Sequence, residues 1–248
     1  MKHRCILLLV ALLLSTAALY SQQTPYKGTK HYQRMVARFE HAHNIDSTTI
    51  VMLGNSLTEF GKDWNRRLEA QNVVNYGIMG DNTVGISARL RQILPYKPKA
   101  IFLMCGINDV SPKRSATQVY ERCLQVIEQI RRDAPNTTLF VQSLLPINEA
   151  VRTWRPLRHQ THKIAQINKL LSRYCRENGI VFIDIFPHLV GNKSNVMNPR
   201  YTQDGLHVNE AGYAVWAQVL KPFVLSLNNQ PPRDSFWKKQ AQALNHLL

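Results

Sequence analysis

The sequence predicts an α/β protein, a three-layer α/β/α sandwich around a five-stranded parallel sheet. Short apolar runs rich in β-branched residues alternate along the chain with longer segments of helical periodicity. These apolar runs carry almost no charge, which is typical of strands covered on both faces. The length of 248 residues suits one such domain with short extensions. Strand–helix alternation of this kind favours parallel strands joined by helical crossovers.

Five apolar runs are predicted to form the strands, at 48–54, 73–76, 100–105, 138–145 and 180–185. Helices are expected at 30–43, 83–94, 115–132 and 161–177, and from about residue 209. Ser115 is a plausible N-cap. Gly179 is a typical residue just beyond a helix end.

The two ends of the chain differ in composition from the predicted domain at 22–227. Residues 1–21 combine a short basic start, an apolar run and small residues, which predicts a cleaved signal peptide and a secreted or periplasmic protein. The alternative is an uncleaved anchor, although the run is short for a membrane span and no stable span is expected after cleavage. Residues 228–248 are predicted to form a helical tail packed on the domain.

Three cysteines would remain in the exported chain: Cys105, Cys123 and Cys175. Their spacing matches no metal-binding pattern, so we interpret them as small buried apolar residues. A bridge between Cys123 and Cys175 is the alternative, because export leads to an oxidising compartment.

The formal net charge of +15 favours anionic partners such as acidic glycans or anionic lipid. The basic residues are spread along the chain, however, so an unevenly charged, solvated surface is the simpler interpretation. No nucleic-acid-binding motif accompanies the charge, and no nucleic-acid partner is predicted. The sequence gives no indication of the oligomeric state.

Ser56 follows the first predicted strand at a Gly-Asn-Ser turn. Ligands of parallel sheets bind at the carboxyl ends of the strands, so this serine is a candidate nucleophile. A serine alcohol needs a base to remove its proton. His207 is the candidate base, and Asp204, three residues earlier, is placed to orient its ring.

An acyl-transfer site also needs hydrogen-bond donors for the oxyanion. The candidates are the backbone N–H groups of Ser56 and Gly80 and the side-chain amide of Asn108. Gly80 and Asn108 follow the second and third predicted strands. Gly77 is an alternative to Gly80 in the same glycine-rich turn.

These four strand-end blocks together resemble those of the SGNH (GDSL-type) hydrolase superfamily. The blocks are GNSLT at 54–58, NYGIMGD at 75–81, GIND at 106–109 and DGLHVN at 204–209. The resemblance covers roughly residues 32–227 and is greatest to the platelet-activating-factor acetylhydrolase-like and carbohydrate acetylesterase branch. It implies a flavodoxin-like fold, a Ser56–His207–Asp204 triad and an oxyanion hole of Ser56, Gly80 and Asn108. Position 55 departs from the commonest motif, which has Asp.

The resemblance implies an ester hydrolase that needs no metal and no organic cofactor. Asn148, Arg152 and Trp154 lie in a polar, aromatic loop at 146–160 and are candidate substrate contacts. Export and this loop favour acetyl esters, in particular O-acetylated saccharides. The alternatives are a lysophospholipase or thioesterase acting on longer acyl chains, and an inactive glycan-binding homologue.

Overall fold

The computed structural model describes residues 26–191 and 195–228. The predicted signal peptide at 1–21 and, apart from its first residue, the predicted tail at 228–248 lie outside this part of the chain. No helix within it is both long and apolar enough to span a membrane.

Five parallel strands form one sheet in the order β2-β1-β3-β4-β5, which confirms the predicted fold class. The strands are β1 (Ile50–Gly54), β2 (Val73–Gly77), β3 (Ala100–Leu103), β4 (Thr138–Gln142) and β5 (Val181–Ile183). β1 pairs with β2 on one side and with β3 on the other. From β1 the chain first adds β2 on one side and then adds β3, β4 and β5 on the other. Ligand sites of such sheets lie at this topological switch point, beside β1.

Four of the five strands are shorter than expected, whereas β2 extends one residue further, to Gly77. β4 illustrates why a strand ends early. The predicted strand continues to residue 145, but β4 ends at Gln142. Beyond it, Leu144 donates its backbone N–H to Asn168 Oδ1 at 2.8 Å and accepts from Asn168 Nδ2 at 2.9 Å. A helix side chain thus replaces the neighbouring strand as the hydrogen-bond partner.

Eight α-helices occur within the described residues. They are α1 (Lys30–Ala42), α2 (Ser56–Glu59), α3 (Trp64–Leu68), α4 (Thr83–Arg89), α5 (Ala116–Asp133), α6 (Thr161–Glu177), α7 (Phe186–Leu189) and α8 (Glu210–Asn228). The helix expected at 83–94 ends at Arg89 and continues as two 3₁₀ turns, Leu90–Gln92 and Leu94–Tyr96. Pro95 lies in the second turn, where it has no backbone N–H to donate and its ring crowds the preceding turn, which favours a break in the helix.

Helices cover both faces of the sheet. α5 packs against α4 and α6, and α3 packs against α8. Right-handed crossovers place these two groups on opposite faces, because the β1-to-β2 connection runs opposite to the other three. The Trp216 side chain of α8 is fully buried and donates to Gln142 Oε1 at 2.8 Å. This bond fixes α8, which follows the Asp204–His207 turn, to the end of β4.

Cys105, Cys123 and Cys175 are all buried and free, which confirms their interpretation as small core residues. The alternative Cys123–Cys175 bridge is wrong. Cys123 Sγ instead donates to the backbone carbonyl of Cys105 at 3.4 Å. Burial raises the pKa of the Cys175 thiol to about 12, so this thiol stays protonated and unreactive in the folded protein.

Candidate active site

Ser56 is the first residue of α2 and lies directly beyond the carboxyl end of β1. Asn55 caps this short helix through its Oδ1, which accepts the Leu57 N–H at 3.0 Å. The turn requires glycine at position 54, since a Cβ there would lie 2.2 Å from Thr58 Oγ1. The Ser56 side chain is thereby placed at the centre of the carboxyl edge of the sheet.

His207 contacts Ser56 although the two residues lie 151 positions apart in the sequence, and Asp204 contacts His207. Ser56 Oγ lies 3.0 Å from His207 Nε2, and His207 Nδ1 lies 2.7 Å from Asp204 Oδ2. The structure therefore brings the three predicted residues into one continuous hydrogen-bonded series. Two aromatic rings contact the imidazole, Phe60 at a centroid distance of 5.1 Å and Trp154 at 5.6 Å.

The Asp204 carboxylate is held in its ionised form. Burial acts to raise its pKa, but the hydrogen bonds from the His207 ring and from the backbone N–H groups of His207 and Leu206 outweigh burial and lower the pKa. Asp204 Oδ1 accepts the two backbone bonds, at 2.7 and 2.9 Å, while Oδ2 accepts from the ring. An ionised Asp204 fixes the tautomer with the proton on Nδ1 and leaves Nε2 free as a base toward Ser56.

The sequence predicts that Asn148 contacts the substrate. In the structure, Asn148 lies behind the Asp204–His207 turn. Its side chain is buried, with Nδ2 donating to the Met197 carbonyl at 2.7 Å and Oδ1 accepting from Ala150 N at 3.0 Å. Its backbone N–H donates to Gly205 O at 2.7 Å. Because this side chain is buried and bonded to neighbouring backbone, the prediction of Asn148 as a substrate contact is corrected to a scaffold for the Asp204–His207 turn.

Trp154 and Arg152, the other two predicted substrate contacts, lie at the open side of the same turn. Trp154 is half-buried and donates its indole N–H to the Asp204 carbonyl at 2.8 Å. Arg152 is exposed, and its guanidinium carbon lies over the Trp154 ring at 4.8 Å from the centroid. Trp154 thus borders the His207 ring, and Arg152 borders Trp154.

The two candidate oxyanion donors lie beyond β2 and β3. Gly80 has a φ of +78°, and a Cβ there would meet nothing within 4 Å, so its surroundings are open. Asn108 is exposed and donates one amide hydrogen from Nδ2 to the Asp81 carbonyl at 2.8 Å. The second amide hydrogen is left for a ligand. Gly77 is packed, since a Cβ there would lie 2.1 Å from the backbone nitrogen of Glu59.

A buried ion pair supports the turn that carries Gly80. Arg89 donates from Nε to Asp81 Oδ2 at 2.8 Å and from a terminal nitrogen to the Gly54 carbonyl at 2.9 Å. Arg89 therefore connects the Gly80–Asp81 turn with the strand end before Ser56. Burial raises the pKa of Asp81 to about 6, although the Arg89 guanidinium acts in the opposite direction.

Glu59 is a site residue that the sequence interpretation missed. Its carboxylate accepts the backbone N–H of Met79, the neighbour of Gly80, and lies 2.9 Å from His31 Nε2. Glu59 ends the helix that begins with Ser56, so it joins the nucleophile segment to the Gly80 turn. Its place three residues after Ser56 was visible in the sequence, but its two partners come from other parts of the chain.

No group of three or more histidine, cysteine or acidic side chains is arranged to hold a metal ion within residues 26–191 and 195–228.

A five-stranded parallel sheet in this order, with these four blocks at its carboxyl edge, defines the SGNH class of α/β hydrolases. The chain belongs to the GDSL-like lipase/acylhydrolase family, whose family model matches residues 46–215.

Individual relatives agree with this assignment. The chain is 26% identical over 150 residues to the platelet-activating factor acetylhydrolase IB subunit beta homolog of Drosophila melanogaster, covering 58% of this chain and 63% of that protein. The chain thus spans less than two thirds of that relative. Among solved structures, a GDSL-like lipase from Bacteroides thetaiotaomicron superposes with a TM-score of 0.67 at 21% identity, covering 79% of this chain and 97% of the other. A carbohydrate esterase family 3 protein from Talaromyces cellulolyticus has a TM-score of 0.58 at 15% identity, covering 74% and 100%.

Proposed function

We propose that this protein is an ester hydrolase, namely an exported serine esterase that removes short acyl groups, in particular acetyl groups, from O-acetylated saccharides. Ser56 is the nucleophile, and His207 is the general base and acid. Asp204 orients the His207 ring and stabilises the positive charge that forms on it. The observation that carries the proposal is the unbroken series of contacts from Ser56 Oγ through both nitrogens of His207 to Asp204 Oδ2, at 3.0 and 2.7 Å.

The proposed reaction has two acyl-transfer steps. His207 Nε2 takes the Ser56 proton as Oγ attacks the ester carbonyl, and the imidazolium then protonates the departing alcohol. Water, activated by the same nitrogen, next hydrolyses the acyl-enzyme to the carboxylic acid and free serine. In both steps the oxyanion accepts hydrogen bonds from the Ser56 and Gly80 N–H groups and from the free amide hydrogen of Asn108.

Surroundings of the site support a short acyl group and a cyclic alcohol. Phe60 and Trp154 contact His207 and restrict the space beside it. The aromatic face and polar neighbours of Trp154 suit a sugar ring. The similarity of fold to a carbohydrate esterase is consistent with such a substrate. Exposed apolar side chains at Phe60 and Met79 support the second candidate, an acylhydrolase for longer chains. The predicted signal peptide supports export.

Release of p-nitrophenol from p-nitrophenyl esters of increasing acyl chain length tests the proposal. We expect activity that falls sharply beyond butyryl, loss of turnover in Ser56→Ala, and labelling of the wild-type serine by a fluorophosphonate probe. Retained turnover in Ser56→Ala contradicts the triad. A rise in rate with chain length supports the acylhydrolase alternative, and absence of both labelling and turnover supports an inactive glycan-binding homologue.

A further inference from the structure

Arg152 and Trp154 form a platform beside the catalytic histidine, referred to below as the Arg152–Trp154 platform. Trp154 is fixed in place by its bond to the Asp204 carbonyl and by its edge-on contact with His207. The Arg152 guanidinium lies over the indole, an arrangement that cation–π attraction favours. The positive charge of Arg152 thus lies against Trp154, whose ring contacts the His207 imidazole.

The backbone of Arg152 is held as well. Its N–H donates to the Asn148 carbonyl at 3.4 Å. Its own carbonyl is packed so closely against Gly205 that a Cβ on that glycine would lie 2.9 Å from it. Because Asn148 is itself bound to Gly205, the segment from Asn148 to Trp154 is attached to the Asp204–His207 turn at several points. Arg152 therefore has a defined position relative to the site.

The charge of Arg152 is not neutralised within the described part of the chain. Its guanidinium forms no ion pair and donates no hydrogen bond to those residues. The nearest acid along the loop, Glu149, accepts the backbone N–H of His159 at 2.9 and 3.0 Å. The Asp204 carboxylate accepts three hydrogen bonds, two from backbone N–H groups of its own turn and one from the His207 ring. The guanidinium carbon lies over the indole ring, and the N–H donors of the group remain available to a ligand.

We propose that Arg152 determines specificity by binding a carboxylate on the substrate, and that the natural substrate is an O-acetyl ester of an acidic saccharide. A planar guanidinium donates two parallel hydrogen bonds to a carboxylate, which gives both affinity and orientation. The sugar ring packs beside Trp154, and Arg152, whose guanidinium lies over the indole, binds the acid group. The inference rests on the proposed esterase function and names its substrate class.

A matched pair of substrates tests the inference: methyl glycosides of glucuronic acid and of glucose, each acetylated at the same hydroxyl. We expect kcat/KM of the wild-type protein to favour the uronate by about tenfold or more, as for a charge-assisted hydrogen bond. The preference should weaken as the NaCl concentration rises, because the charges are near solvent. Arg152→Ala should abolish the preference through a higher KM for the uronate. Arg152→Lys should retain only part of it.

Arg158→Ala is the control, since Arg158 is an exposed arginine of the same loop with no ion pair in the described residues. It should keep the full preference. Equal hydrolysis of the two glycosides overturns the inference and leaves the esterase function intact. If neither glycoside is hydrolysed, the uronate must still compete more strongly with p-nitrophenyl acetate than the glucoside does, or the inference fails. Absence of p-nitrophenyl acetate hydrolysis is a failure of the esterase proposal itself. A preference for a phosphate-bearing lysophospholipid over the uronate overturns the saccharide assignment.

Discussion

Asn108 donates a hydrogen bond from Nδ2 to the backbone carbonyl of Asp81, at 2.8 Å. This bond crosses from the segment after β3 to the turn that carries Gly80, so two of the proposed oxyanion donors are aligned by direct contact. A primary amide carries two hydrogens, and the one not directed at Asp81 is the donor proposed for the oxyanion.

Asn108→Ala should reduce kcat by about 10²–10³, the usual effect of removing one oxyanion donor. KM should change little, because the bond forms fully only when the oxyanion develops. Steady-state kinetics on p-nitrophenyl acetate provide the measurement. Asn108→Asp, which keeps the size but not the donor, should be equally impaired. Wild-type kcat in both variants contradicts the assignment.

Gly205→Ala should displace the Asp204–His207 turn and remove most of the activity. The φ at Gly205 is +78°, and an added Cβ would lie 2.2 Å from the Asn148 carbonyl oxygen. Gly179→Ala is a matched control, because Gly179 also has a positive φ, +65°, but has open space around it. The control should lose about 1–2 kcal/mol of unfolding free energy from backbone strain and retain its kcat. Thermal denaturation and acetate release measure the two effects, and equal activity in both variants argues against the clash.

Glu59→Ala should lower kcat by about tenfold, because the Met79–Gly80 backbone loses the carboxylate that positions it. Glu59→Gln keeps an acceptor for the Met79 N–H and should recover most of the rate. His31→Ala removes the His31–Glu59 contact and should lower kcat less than Glu59→Ala does. His41→Ala, at an exposed position of α1, serves as the control. The positioning role is excluded if Glu59→Ala changes stability but leaves kcat unaltered.

The buried Asp81 should make stability depend on pH. Its pKa in the folded protein is raised to about 6 from an ordinary value of 3.8. The folded state therefore binds the proton more tightly than the unfolded state, so the contribution is fully present below pH 3.8 and is lost as pH rises through 6. The loss amounts to about 3 kcal/mol for a shift of this size.

Urea unfolding of the wild type and of Asp81→Asn between pH 4 and 7 isolates this effect, because asparagine does not titrate. The free energy of unfolding of the wild type, relative to the variant, should fall across this range. A constant difference means that Asp81 keeps an ordinary pKa in the folded protein. Other carboxyl groups affect both proteins alike and cancel in the comparison.

The sequence was sufficient for the fold class and for the residues that lie in recognisable blocks. Ser56, Asn108, Asp204 and His207 each follow a predicted strand or share one turn, so local patterns indicate them. Asn148 and Glu59 were assigned wrongly or missed, because their roles depend on partners far away in the chain. Met79 lies 20 residues from Glu59, and Met197 lies 49 residues from Asn148. No periodicity or spacing encodes such contacts.

Asp204 and His207 are three residues apart on one tightly bonded turn, whereas Ser56 is separated from His207 by 151 positions. The acid and the base therefore belong to one locally bonded unit, and the serine belongs to another. Alignment of the triad therefore depends on one distance between these two units, from His207 Nε2 to Ser56 Oγ. On gentle heating, activity should therefore be lost when the distance between His207 and Ser56 increases, while the Asp204–His207 contact is still intact.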